Sequence, residues 1–167
     1  LIERVIKNDA SLQEIVLDDQ NFSDDTLLDM IGALAENSHV KYLSLRNMKI
    51  GNNVAEEIAN VLRDNSSLIE INLEGNQVTS NAAKKFVEIL RDHNDTLQYL
   101  ELADNQVRSG LISQLNKMLE DRRSKYTEEI EQSESDDESA SRQSSASGDE
   151  SSRQSSESGD ESMSRQS

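Results

Sequence analysis

The chain has 167 residues, with 33 acidic and 17 basic side chains, a formal net charge of −16, two His, and neither Cys nor Pro. The absence of Cys removes thiol nucleophiles, zinc–thiolate sites and the disulfide-closed ends of secreted repeat proteins; the acidic balance disfavours a nucleic-acid backbone or an anionic membrane surface as partner. No apolar run approaches the ~20 residues of a membrane span and no signal peptide is visible, so the composition predicts an intracellular, cytoplasmic protein.

The opening LIERVIKNDA fits the end of a helix, with Ile2, Val5 and Ile6 in the phase later taken by Met30, Ala33 and Leu34. The chain is therefore expected to start within a repeat, with more of the array upstream. From Ser11 a pattern is written four times, beginning at Ser11, His39, Ser67 and Thr96, at spacings of 28, 28 and 29 residues. Each copy carries apolar-x-x-apolar-x-apolar: Leu12/Ile15/Leu17, Val40/Leu43/Leu45, Leu68/Ile71/Leu73 and Leu97/Leu100/Leu102. The alternation at the last two positions predicts a strand, because side chains two apart share a face. Gln20, Met48, Asn76 and Asn105 follow in the turn, where an Asn side chain can satisfy backbone groups. Met48 reads as a packing substitute rather than an exposed anchor. An apolar residue follows at Phe22, Ile50, Val78 and Val107.

Each strand leads into a helix. The apolar sets Met30/Ala33/Leu34, Ile58/Val61/Leu62, Phe86/Ile89/Leu90 and Leu115/Met118/Leu119 fall on one helical face by their spacings of three and four. Asn37, Asn65 and Asn94, near the helix ends, suit a left-handed turn back into the next strand. The last helix is expected over 112–131, running a turn or two past Lys125 where the apolar period stops.

A fixed period of this length predicts a solenoid, each unit burying its apolar face on its neighbours. The frame resembles the leucine-rich repeat in its long strand–turn–helix, ribonuclease-inhibitor-like class. That resemblance implies an α/β solenoid, with parallel strands on the concave face and helices on the convex face. It covers residues 1–123, the end of one repeat followed by four repeats. Residues 124–167 form a second region, an acidic Ser-rich tail with 12 acidic and 4 basic residues and a near-duplicate SRQSSASGDES/SRQSSESGDES. Almost nothing in it can be buried, so it is expected to be disordered. Ser133, Ser135, Ser147 and Ser158 precede an acid by three residues, and Ser145 and Ser156 follow an Arg by three. These six are phosphorylation candidates, each adding about 1.5 to 2 negative charges.

Residues between the strand leucines are expected to point out of the concave face. They include Glu14, Asp18, Tyr42, Arg46, Glu70, Glu74, Tyr99 and Glu101, five acids and two Tyr around one Arg. Tyr among charges suits a protein-interface anchor, and the field would steer a basic or mixed-charge partner. Solubility alone also places charge on an exposed sheet face, and Tyr has strand propensity of its own.

Chemistry is not legible. His39 and His93 fall in loops at repeat boundaries, no phosphate-cradling Gly-rich loop exists, and the acid clusters lack calcium-loop spacing. Neither an enzyme, a cofactor, a metal site nor a small-molecule substrate is expected.

Two stretches narrow the resemblance. ALAENSHVKYLSL (Ala33 to Leu45) and LRDNSSLIEINLEGNQVTSNAAKKFVEILRDHNDTL (Leu62 to Leu97) resemble the helix-to-strand junctions and Asn turns of the tropomodulin/leiomodin family. This resemblance spans roughly residues 11–105; the family's closing strand and C-terminal helix are not recognisable beyond it. It implies a cytoskeletal interaction module that binds actin at the filament's pointed end, with tropomyosin as the family's other partner. A weaker similarity, to the Ran GTPase-activating proteins, implies instead a regulator of a GTPase or other signalling protein, or a scaffold with a phosphorylatable tail.

Overall fold

The computed structural model describes the backbone of residues 1–145 and side chains through residue 127. Two compact units separate, Leu1–Thr127 and Glu128–Ser167. The elements are α1 (Ile2–Ile6), β1 (Glu14–Val16), α2 (Asp24–Gly32), β2 (Tyr42–Ser44), α3 (Asn52–Val61), β3 (Glu70–Asn72), α4 (Ser80–Asp92), β4 (Tyr99–Glu101) and α5 (Ser109–Ser145). The helix expected over 112–131 thus starts earlier and runs further. The expected disordered tail and the candidates Ser147, Ser156 and Ser158 fall wholly or partly on 146–167, outside the described residues.

The four strands form one parallel sheet in sequence order. Their register aligns Glu14–Tyr42–Glu70–Tyr99, Ile15–Leu43–Ile71–Leu100 and Val16–Ser44–Asn72–Glu101 in rows across the strands. The middle row is the sheet's contribution to the core: Ile15, Leu43 and Ile71 are at most 1% exposed. Opposite it, Met30, Leu34, Ile58, Leu62, Phe86, Ile89, Leu90, Leu115 and Leu119 are buried. Each such side chain contributes about 1.5–3 kcal/mol by leaving water. The repeated apolar frame therefore becomes one continuous interior, with strands on the concave side and helices on the convex side. Met48 is buried in it. Ile6 is not: it is 66% exposed while Val5 is 1% exposed. Consecutive helical residues point to different sides, and α1 turns Val5, not Ile6, toward α2.

The left-handed backbone lies elsewhere than expected. Asn37, Asn65 and Asn94 have no positive φ; those angles recur two residues after each strand's last Leu, at Asp19, Asn47, Gly75 and Asp104, and occur also at Asn8 and Lys49. Asn, Asp and Gly tolerate this region best. At Gly75, with φ +70°, an added Cβ would also fall 2.0 Å from Oδ1 of Asn47.

The junction asparagines act through their side chains instead. Asn65 donates through Nδ2 to the carbonyls of Leu34 (2.7 Å) and Asn37 (2.9 Å) in the preceding junction, while its Oδ1 accepts from the N–H of Ser67 and Leu68. Asn94 repeats this one unit on, donating to Leu62 and Asn65 and accepting from Leu97. Asn37 donates to Val5 and accepts from His39 and Val40. All three are buried, and satisfied buried amides of this kind tie one rung to the next. In the turns, Asn76 likewise accepts from the N–H of Met48 and Ile50, and Asn105 from Val78. The sequence-level assignment of turn service to Asn76 and Asn105 holds, with the addition that each serves the turn before its own.

Helix α5 finishes this ladder. The carbonyls of Gln13, Lys41 and Ile69 each accept two N–H groups from the following strand. Gln98 holds the equivalent place just before β4, after which no strand follows among the described residues, and its carbonyl accepts instead from the Arg123 guanidinium. One position earlier, Arg122 donates to the carbonyls of Leu90 and Leu97. Leu34 and Leu62, the counterparts of Leu90, are served by Asn65 and Asn94. Two arginines on one helix thus replace the backbone donors and the Asn of an absent fifth rung. Burial pulls the Arg122 guanidinium below its usual range, with Asp95 opposing; a carbonyl-lined seat partly offsets that cost.

Candidate functional site

The concave face can be read row by row. In the row nearest the strand exits, Asp18, Arg46 and Glu74 engage one another. Asp18 Oδ1 accepts from the Ser44 hydroxyl at 2.6 Å and the Arg46 N–H at 3.0 Å. Arg46 donates to Glu74 Oε1 at 2.9 Å. That contact, and then the charge of Glu74, raise the Arg46 pKa above its usual range. Arg46 Nε is buried without a partner. The pair is partly open to solvent, which screens it. The next outward-facing row, Val16–Ser44–Asn72–Glu101, is mixed. Ser44 was expected to project outward, but it is fully buried, because its hydroxyl is drawn under Asp18.

The remaining row, Glu14–Tyr42–Glu70–Tyr99, alternates carboxylate and aromatic. Neighbouring strands stand about 4.8 Å apart, so each Tyr has a carboxylate one strand away. Among the described residues, neither Glu14 nor Glu70 enters a salt bridge. Tyr99 carries a cation already: the Arg123 guanidinium lies 4.6 Å from its ring centroid. Between them runs a groove of about 300 Å³ lined by Glu70, Glu74, Tyr99, Glu101, Asn116 and Arg123.

All eight concave-face residues named from the sequence therefore share one surface, but they differ in state. Asp18, Arg46 and Glu74 are engaged with each other, Tyr99 is covered by Arg123, Glu101 accepts from the Ala103 N–H, and Glu14, Tyr42 and Glu70 are without such partners. Sequence reasoning missed Arg123. Its only signal was a pair of adjacent basic residues where the apolar period of the helix ends. A second cavity, of about 440 Å³ and largely apolar, lies at the other end of the stack among Leu1, Ile2, Leu17, Phe22, Leu27 and Met30. His39 is half-buried and His93 exposed. Among the described residues no cluster of His, Cys, Asp and Glu could hold a metal ion, and no helix is long and apolar enough to cross a membrane. Ser133, Ser135 and Ser145 lie on the backbone of α5.

Comparison with known proteins agrees with this architecture. The family model of the TMOD/LMOD leucine-rich domain matches residues 1–124, so the relationship extends through β4 into α5, beyond the stretch recognisable by eye. Human leiomodin-3 is 38% identical over 60 residues, 35% of this chain and 11% of that protein; the chain thus aligns with about a tenth of that relative's length. The solved actin-binding site 2 of leiomodin-1 superimposes with a TM-score of 0.65 at 21% identity, covering 79% of this chain and 95% of that one. The C-terminal domain of a Caenorhabditis elegans tropomodulin gives a TM-score of 0.56 at 15% identity, covering 77% and 95%. At these identities the two structures speak for the fold, and the family match speaks for descent: the chain belongs to the tropomodulin/leiomodin leucine-rich-repeat family.

Proposed function

We propose that this chain is a non-catalytic protein-binding module that engages actin at the pointed end of the filament. The observation that carries the reading is the family match over residues 1–124; likeness in fold to the actin-binding site 2 of leiomodin-1 supports it. A curved stack with a solvent-facing sheet offers a long surface and no enclosed reaction centre, which suits binding better than catalysis. The contact surface is the concave face, with Glu14, Asp18, Tyr42, Arg46, Glu70, Glu74, Tyr99 and Glu101 on it, and the protein acts in the cytoplasm at the cytoskeleton. Phosphorylation at Ser133, Ser135, Ser145, Ser147, Ser156 and Ser158 adds charge to the tail; mass spectrometry finding these unmodified in cells would remove that part.

Elongation of pyrene-labelled actin from filaments with blocked barbed ends tests the main reading. Micromolar protein should change the pointed-end rate, and an unchanged rate removes actin from the proposal.

A further inference from the structure

Arg123 on Tyr99 is an internal example of what this surface accepts. A planar cation lies over an aromatic ring projecting from the concave sheet, in a groove whose wall includes the Glu70 and Glu101 carboxylates. Tyr42 repeats this arrangement two strands away. It occupies the same register row, is half-buried, and has Glu14 on one side and Glu70 on the other. Among the described residues Tyr99 has a carboxylate neighbour in the row on the β3 side alone, because β4 is the sheet's edge there. Among the described residues no cation stacks on Tyr42, and no basic side chain pairs with Glu14 or Glu70.

We infer that Tyr42, flanked by Glu14 and Glu70, is the seat for an Arg or Lys side chain from a basic segment of a partner protein. This rests on the concave face being the contact surface and deepens that reading by naming what the partner must present. The physical case is charge complementarity at close range. A guanidinium over an aromatic ring gains from the ring's negative face, and two carboxylates about one strand spacing away add attraction of the same sign. Arg46 does not compete for the site, because its guanidinium is held by Glu74 two rows away. An acidic partner segment would meet three unneutralised carboxylates, Glu14, Glu70 and Glu101, and is excluded by the same argument.

A blocked peptide, acetyl-Gly-Arg-Gly-Arg-Gly-amide, tests the seat without actin. Its citrulline counterpart keeps the shape and lacks the charge. In a nitrogen–proton correlation titration of the full chain, the Arg peptide should give saturable shifts centred on residues 42 and 70, and the citrulline peptide none. Tyr42→Ala should weaken binding about three- to tenfold, and Tyr42→Phe, which keeps the ring face, by less than about twofold. Equal shifts with citrulline, shifts spread evenly over the acidic helices, or unchanged affinity in Tyr42→Ala would overturn the inference. If Tyr42→Ala fails to fold, the Glu14→Gln/Glu70→Gln variant replaces it, with unchanged affinity again counting against the seat. A positive peptide result with unchanged pointed-end elongation would reject actin and keep the seat; the converse would keep actin and reject the seat.

Discussion

The first and last rungs of the described stack differ in how they are covered. At β4 the last rung meets α5, whose Leu115 and Leu119 are each 1% exposed and whose Arg122 and Arg123 serve the carbonyls a fifth rung would have taken. The described residues cover β1 less completely. Leu1, Ile6, Val16 and Phe22 are 50%, 66%, 56% and 40% exposed, and an apolar cavity lies beside them. Leu17 is half-buried where Leu45 and Leu73 are fully buried. Ending a solenoid therefore takes two separate devices, apolar cover for the interior and donors for the orphaned carbonyls. Both are present at β4.

The sharpest way to break that contrast is to truncate one apolar residue at each end. Leu119→Ala should cost about 2–5 kcal/mol, and Phe22→Ala less, about 1–2 kcal/mol, since 40% of its surface is already wet. Urea denaturation of the two variants would show equal losses if the ends were equivalent. Removing a donor rather than a wall has a smaller effect. Arg122→Ala leaves the Leu90 and Leu97 carbonyls without their partner, at about 1–3 kcal/mol. Arg122→Lys should recover part of this, because one ammonium cannot reproduce the fork. Thermal melts of the two variants that coincide would show that the fork is not what matters.

The smallest effect lies at the other end, at Asp9. It sits where later repeats carry a junction Asn, and its carboxylate accepts from Arg4 Nε at 2.7 Å and from the backbone and hydroxyl of Ser11. Those contacts, Arg4 first, hold its pKa well below the usual carboxylate range. A depressed folded-state pKa means that the stabilisation is present above the unfolded value, about 3.9, and is lost as pH falls below it. The stability gap between the wild type and Asp9→Asn should thus be constant near neutrality and close in acid. A gap that widened on acidification would contradict the assignment.

What the sequence makes legible follows from range. The apolar frame at Leu12, Ile15 and their counterparts is a local pattern of spacing, so strands, helices and the solenoid could all be read from it. Asn37, Asn65 and Asn94 were visible as residues but not as a ladder. An Asn is equally good at a left-handed turn and at bonding a carbonyl one repeat away, and only the fold shows which it does. Arg122 and Arg123 were the least legible: their acceptors lie 25 and 32 residues away, and no spacing rule connects them. On the candidate surface, strand alternation placed all eight side chains. It could not show that Arg46 is spent on Glu74, that Ser44 is pulled under Asp18, or that Tyr99 is already stacked.

Because each junction Asn looks backward, a repeat carries the fastening for its predecessor and relies on its successor for its own. An internal duplication of residues 67–95 would bring Asn94 with it and leave every carbonyl served, whereas a unit spliced on after α5 would find its attachment points occupied by Arg122 and Arg123. Such an array can lengthen from within, as a chain gains links in the middle, while its clasp stays where it is.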